Sequence, residues 1–230
     1  MRIGGFQKTS LLDYPEHISA IVWTVGCNFR CPFCYNTELV NRNAEEFSQE
    51  EIFSYLKKRK DMLEALVISG GEPLQHDDIE QFCKKVKDIG YKIKIDTNGT
   101  FPDKLQNLID KKLVDYVSMD VKAPVEKYDK LAGRKVDISK IKKTIKIIQD
   151  SNIDYEFKTT YVPDLLKKED IANIADWLKG SKKFYLQQYK NDIPVISSEL
   201  NTLSPYPREY VLETLEKVKP CFEFCDARGL

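Results

Sequence analysis

The chain has 230 residues, 42% of them hydrophobic, and its 36 basic side chains balance 36 acidic ones. That apolar fraction supports a substantial core and excludes intrinsic disorder, while the zero net charge gives no broad attraction for nucleic acid or an anionic membrane. No stretch reaches the roughly 18 apolar residues of a membrane helix, and Met1–Asp13 is too polar for a secretory signal, so a cytoplasmic protein with reduced cysteines is expected.

In chain order, apolar runs with strand character alternate with amphipathic stretches. Ile18–Val25 comes first, then Ala65–Ile68, followed by a helical face of Ile79, Phe82, Cys83, Val86 and Ile89. Tyr91–Ile95 and Val114–Val121 are the next strands, and Ile138, Ile141, Ile145 and Ile148 mark another helix. Tyr155–Val162, the helical face of Ile171, Ile174, Ala175 and Leu178, the run Phe184–Tyr189 and a last helix over Val211–Val218 complete the series. Six strand-then-helix units predict an α/β fold with parallel strands, because parallel neighbours need crossover connections. Six units fall short of the eight-unit barrel, so a partial (β/α)6 barrel is expected, with a doubly wound sheet as the alternative. No linker or low-complexity tract interrupts the pattern. The expectation is one domain over residues 1–230, with 1–17 as an N-terminal extension and 200–230 as a C-terminal helix and tail.

The first strand runs directly into Cys27-Asn-Phe-Arg-Cys31-Pro-Phe-Cys34. Gly26 permits a sharp exit from the strand and Pro32 biases Cys31 away from helical backbone, so a loop that turns three thiols inward is expected. Three thiolates suit a cubane iron–sulfur cluster with one iron left open. A structural zinc ion would call for a fourth ligand, and neither His17 nor Cys83 stands at a zinc-like spacing.

This C-x3-C-x2-C loop resembles the signature of the radical S-adenosylmethionine (SAM) superfamily. The resemblance implies that Cys27, Cys31 and Cys34 hold a [4Fe–4S] cluster, that the amino and carboxylate groups of SAM take the fourth iron, and that Phe33 packs near the adenine. Tyr35 joins the SAM site or, like Phe33, serves as an ordinary core aromatic.

The later strand ends carry polar groups in register with that loop. Ala65–Ile68 leads into Ser69-Gly70-Gly71-Glu72-Pro73, where two glycines admit a close backbone approach and Glu72 offers an acceptor for an ammonium. It is similar to the family's GGE motif, which holds the SAM amino group. Ile95 leads to Asp96-Thr97-Asn98-Gly99, and Val117 to Ser118-Met119-Asp120-Val121-Lys122. Asn98-Gly99 reads as a tight turn. Carboxylates at the ends of apolar strands, by contrast, demand partners. Both stretches resemble those of glycyl-radical-enzyme activating enzymes such as that of pyruvate formate-lyase. That likeness implies a monovalent cation held by Asp96 and Asp120 with backbone carbonyls or hydroxyls of Thr97 and Ser118, and contacts to SAM from Asn98, Asp120 and Lys122. Where those activases carry an arginine in the fifth strand and some a histidine after the sixth, this chain has Lys158 and Lys190. Lysine keeps the charge and loses the bidentate fork, and both residues also read as surface lysines. All these groups fall at the C-terminal ends of strands, where parallel β/α folds build active sites.

The stretch Gly4–Pro15 resembles that of anaerobic ribonucleoside-triphosphate reductase activating proteins. The implied chemistry is one-electron cleavage of SAM to methionine and a 5′-deoxyadenosyl radical, which takes a Cα hydrogen from a glycine of a partner enzyme. A glycyl radical enzyme and a low-potential electron donor are the implied partners, with neither nucleic acid nor membrane among them. No side chain is required as acid or base. A radical SAM enzyme acting on a small molecule, such as a deazapurine synthase, shares every motif, and a non-enzymatic iron–sulfur carrier shares the cysteine loop. Cys83 reads as a core residue. Cys221 and Cys225 read as reduced structural thiols, about 13 Å apart if they share a strand and within reach of each other if the segment is a turn.

Overall fold

The computed structural model describes residues 1–230. The chain opens with β1 (Ile3–Ser10), which runs antiparallel to β2 (Ser19–Thr24). Helices α1 (Thr37–Asn41) and α2 (Gln49–Lys58) lead to β3 (Ala65–Gly70), α3 (Ile79–Ile89), β4 (Lys92–Thr97), α4 (Pro102–Asp110) and β5 (Tyr116–Asp120). Helices α5 (Tyr128–Ala132) and α6 (Ile138–Asp150) precede β6 (Asp154–Tyr161). Then come α7 (Lys168–Trp177), β7 (Ser181–Gln188), α8 (Arg208–Val218) and β8 (Phe222–Arg228).

The eight strands lie in chain order in one sheet, and β2 through β8 are parallel. β1 and β8 do not pair with each other, so the sheet stays open. The six expected strands are β2 to β7, and each is followed by helix. Two strands flank them that the apolar pattern did not reveal. β1 comes from the stretch read as an extension, and β8 from the stretch read as a tail. Cys221 stands just before β8 and Cys225 within it, and all six thiols are free. No helix is long and apolar enough to cross a membrane.

Alternation along the strands sorts side chains onto two faces. One face packs against the helices in a large core that includes Val22, Leu66, Ile68, Ile93, Val117, Met119, Phe157 and Phe184. α3 shows how a helix joins it: Ile79, Phe82, Cys83, Val86 and Ile89 are all buried, and Gly90 ends the helix in a left-handed turn. The other face is inward and mixed. Near the start of the strands Ile21, Ala65, Val67 and Tyr116 form a separate apolar cluster capped by Tyr14, whose ring lies 5.7 Å from that of Tyr116. Further along, the inward positions are charged, and they lead to the cleft at the strands' C-terminal ends.

Candidate functional site

Below the cleft, Glu156 of β6 is fully buried and accepts hydrogen bonds from Tyr116 (3.1 Å), Ser118 (2.9 Å) and both Nη atoms of Arg228 on β8 (2.9 and 2.8 Å). Burial alone would push its carboxyl up, but Arg228 and then Lys94 hold it below the usual range.

The next layer is a ladder of opposite charges. Lys94 Nζ lies 3.3 Å from Asp96 Oδ1, Lys122 Nζ 3.2 Å from Asp120 Oδ1, and Lys158 Nζ stands between the two carboxylates at 3.9 Å from Asp96 and 3.7 Å from Asp120. The strand register sets this pattern, because Asp96 pairs with Ser118 and Asp120 with Lys158 on neighbouring strands. Burial opposes the charges, yet each sign stabilises the other: the lysines hold Asp96 low, and the aspartates hold Lys158 and Lys122 high. Lys94 also donates to the carbonyl of Asp13 (2.6 Å), which ties the β1–β2 connection to this layer.

Above the ladder opens a cleft lined by Cys27, Cys31 and Cys34 on one side and by the ends of β3 to β7 on the other. The cysteine loop is held by backbone bonds: Arg30 N–H donates to Ala132 O (2.8 Å), and the Arg30 guanidinium to the carbonyls of Cys27 (2.7 Å) and Phe29 (2.6 Å). Burial pushes the free thiol of Cys27 up to about 11 and that of Cys31 to about 12, and it raises Cys34 as well. Lys122 opposes all three shifts, so the loop faces a cation that favours thiolates. Metal binding there would displace the thiol protons. No three Cys, His, Asp or Glu side chains gather closely enough to hold a single ion. Three thiols from one loop, set around a space rather than a point, fit a cluster better than a mononuclear zinc ion.

The glycine turn after β3 is required by packing and also lines the cleft. A Cβ on Gly71 would lie 1.9 Å from the carbonyl oxygen of Gly26, and one on Gly70, at φ +119°, 2.2 Å from the backbone nitrogen of Thr24. The glycines therefore let this turn seat against the root of the cysteine loop. Glu72 faces inward and is fully buried. It accepts from Leu74 N–H (3.0 Å), Thr97 Oγ1 (2.9 Å) and Asn98 N–H (2.7 Å), so its carboxylate ties β3 to the turn after β4 instead of opening on the cleft.

The other expected residues divide in the same way. Phe33, Tyr35, Gly70, Gly71, Asp96, Thr97, Asn98, Asp120, Lys122 and Lys158 all line the cleft. Lys158 is an inward residue, only 17% exposed, and not a surface lysine. Asn98 Nδ2 reaches Asn28 Oδ1 (2.8 Å) and the sulfur of Cys27 (3.8 Å). Ser118 lies below, bonded to Glu156. Lys190 is exposed and outside the cleft wall, and its backbone N–H donates to the Tyr35 hydroxyl (2.7 Å). Residues not anticipated are Lys94, Glu156 and Arg228 beneath, and Asn36, Thr160 and Gln187 in the wall. For Lys94 the signal was present: in Lys92-Ile-Lys94-Ile-Asp96 a period of two puts lysine and aspartate on one face.

The chain belongs to the radical SAM superfamily, whose family model matches residues 21–179. It is a radical SAM enzyme. It is 37% identical over 223 residues, 94% of this chain and 90% of the relative, to a Methanocaldococcus jannaschii protein that bears the provisional name of glycyl-radical enzyme activating enzyme. A second protein of that organism with the same provisional name is 29% identical over 162 residues, 68% of this chain and 61% of its own. Among solved structures, SuiB of Streptococcus suis bound to S-adenosylmethionine superposes with a TM-score of 0.67 at 18% identity, covering 90% of this chain and 49% of SuiB. The chain thus spans about half the length of that protein, and the likeness is one of fold.

Proposed function

We propose that this protein is an activating enzyme that generates a glycyl radical on a partner enzyme, with anaerobic ribonucleoside-triphosphate reductase as the candidate partner. One observation carries the reading: the three thiols of a single loop, the glycine turn after β3 and the lysine–aspartate ladder all open on one cleft. The provisional name of the 37% identical relative supports the same class of partner.

In this reading Cys27, Cys31 and Cys34 hold a [4Fe–4S] cluster, and SAM lies between the loop and the strand ends. When bound, cluster and SAM together supply a one-electron cleavage of the sulfonium and a carbon radical able to remove a glycine Cα hydrogen. The residues of the chain bind, orient and exclude water. Lys122 and Lys158 offer ammonium groups to the SAM carboxylate. The Asn36 amide donates to Gly70 O (3.3 Å) and steadies the glycine turn. Phe33 and Tyr35 give aromatic surface for the adenine, and Tyr35 is braced by the backbone of Lys190. Glu72 acts at one remove, by fixing the Asn98 turn. The electron comes from a low-potential donor protein, and the radical passes to a glycine exposed on a loop of the partner.

The test is anaerobic incubation of the reconstituted protein with SAM, a strong reductant and the glycyl radical enzyme of the same organism. A glycine-centred EPR doublet is expected, and its splitting collapses when the α-hydrogen is deuterium. Absence of that signal with every candidate partner, together with 5′-deoxyadenosine release driven by a small metabolite, would move the protein to the small-molecule radical SAM enzymes.

A further inference from the structure

The floor of the cleft carries its own cations. Lys94, Lys122 and Lys158 stand within 3.2–3.9 Å of the Asp96 and Asp120 carboxylates, and all five side chains are between 6 and 21% exposed. The likeness to activating enzymes implies that Asp96, Thr97, Ser118 and Asp120 surround a monovalent cation. The two hydroxyls among them are turned to other carboxylates: Thr97 Oγ1 donates to Glu72 Oε1 at 2.9 Å and accepts from Gly99 N–H at 3.1 Å, and Ser118 Oγ donates to Glu156 Oε1 at 2.9 Å. The space between the two aspartates is taken by the Lys158 ammonium, flanked by Lys94 on one side and Lys122 on the other. An inorganic cation entering this cluster would meet three like charges at close range in a poorly screened site.

We propose that the lysine ammonium groups, with Lys158 at their centre, take the place of the monovalent cation, so that this protein binds the SAM carboxylate without potassium or sodium. The inference rests on the reading that SAM binds in this cleft. The charges agree with it. Three ammonium groups face two carboxylates, leaving one positive charge, which one ligand carboxylate neutralises. The opposing feature is Asp96 Oδ1, which is buried and has no hydrogen-bond donor, since Lys94 approaches it off the hydrogen-bonding direction. It is the atom on which a small cation would dock if the lysines do not suffice.

Two measurements separate the cation question from the SAM question. The first is thermal unfolding of the metal-free protein in potassium chloride, sodium chloride and choline chloride at one ionic strength. The wild type is expected to unfold at the same temperature in all three. The Lys158→Met variant, which keeps the length of the side chain and loses the charge, is expected to gain stability from potassium in a saturable way and none from choline. The second is calorimetry of SAM binding to the cluster-loaded protein in the same salts. Wild-type affinity should agree within about twofold across them, whereas Lys158→Met should bind roughly tenfold more weakly in choline and recover in potassium.

Specific stabilisation of the metal-free wild type by potassium overturns the proposal, and this arm stands even if the variant fails to fold. So does a wild-type SAM affinity that falls about tenfold when potassium is withdrawn. A wild type that binds no SAM in any salt overturns the reading of the cleft as a SAM site. The unfolding data then still decide whether the lysines fill the cation position.

Discussion

Glu156, fully buried below the cleft, and Asp96, half-buried in the layer that floors it, are both carboxylates on the inward face of the sheet, and the protein treats them differently. Glu156 takes four hydrogen bonds, two of them from the Arg228 fork, and has nothing left to offer a ligand. Asp96 faces two ammonium groups at 3.3 and 3.9 Å and keeps one oxygen without a donor. The lower layer is saturated as a core must be, because an unpaired buried charge is costly. The upper layer keeps one net positive charge and open hydrogen-bonding capacity, the combination that a site for a ligand carboxylate needs. Substitutions above should therefore harm function more than stability, and substitutions below should do the reverse.

The largest effect expected is at the cleft wall. Cys31→Ala should reduce bound iron well below four per chain and bring SAM cleavage to background, measured by iron assay and by chromatography of 5′-deoxyadenosine. The metal-free variant should unfold within about 1 kcal/mol of the wild type, since the loop is held by backbone bonds through Arg30 and Ala132 and a buried thiol contributes as a small apolar group. Full SAM cleavage in the variant would remove the cluster from this loop.

The next effect belongs to the lower layer. Arg228→Met deletes two charge-assisted bonds and leaves the fully buried Glu156 with Tyr116 and Ser118 alone. Breaking a buried pair costs about 3–5 kcal/mol, and the lower end applies because the Arg228 side chain is 39% exposed and screened by water. Urea unfolding of the metal-free protein should report a loss near 3 kcal/mol. Adding Glu156→Gln to the Arg228→Met variant should recover part of it, because no uncompensated charge remains. Additive losses in the double variant would mean that the pair is not coupled.

How far the sequence speaks for each layer follows from the same contrast. Strands β2 to β7 were legible because their apolar runs face the helices. β1 was not, since Gly4 and Gly5 break the pattern and an edge strand with Lys8 exposed needs little apolar surface. β8 reads as either strand or turn because charged residues interrupt Phe222-Glu-Phe-Cys-Asp-Ala-Arg228. In the upper layer the cysteine loop and the strand-end groups are legible, because the residues that line the cleft cluster locally in sequence. In the lower layer the Glu156–Arg228 pair joins residues 72 apart across three strands, and no local pattern announces it. The hydrogen-bond partners of Glu72 and Ser118 are not legible for a related reason. Residue type and position put them at the site, while their direction depends on partners from other strands.

The smallest effect concerns Glu72, which links the two kinds of behaviour: it has three donors like a core group and sits beside the cleft. Burial pushes its carboxyl up from 4.5 to about 7, against the pull of Asn98 N–H, Thr97 and Leu74 N–H. A carboxyl whose folded pKa is raised binds more protons folded than unfolded. Its contribution to stability is therefore intact below the unfolded pKa and declines as pH rises through 4.5 towards 7. Between about pH 5 and pH 7 the metal-free wild type should lose roughly 2 kcal/mol from this group alone. Glu72→Gln cannot titrate and should lack that part of the slope. The amide presents an N–H₂ to at least one of the three donors, so the variant should start less stable at pH 5, with its deficit shrinking as pH rises. The check is the difference between the two proteins in urea midpoint across that pH range, which cancels the titration of every shared group. A constant difference would mean that the three donors outweigh burial and keep Glu72 ionised throughout, in which case it anchors the Asn98 turn as a carboxylate at every pH where the enzyme works.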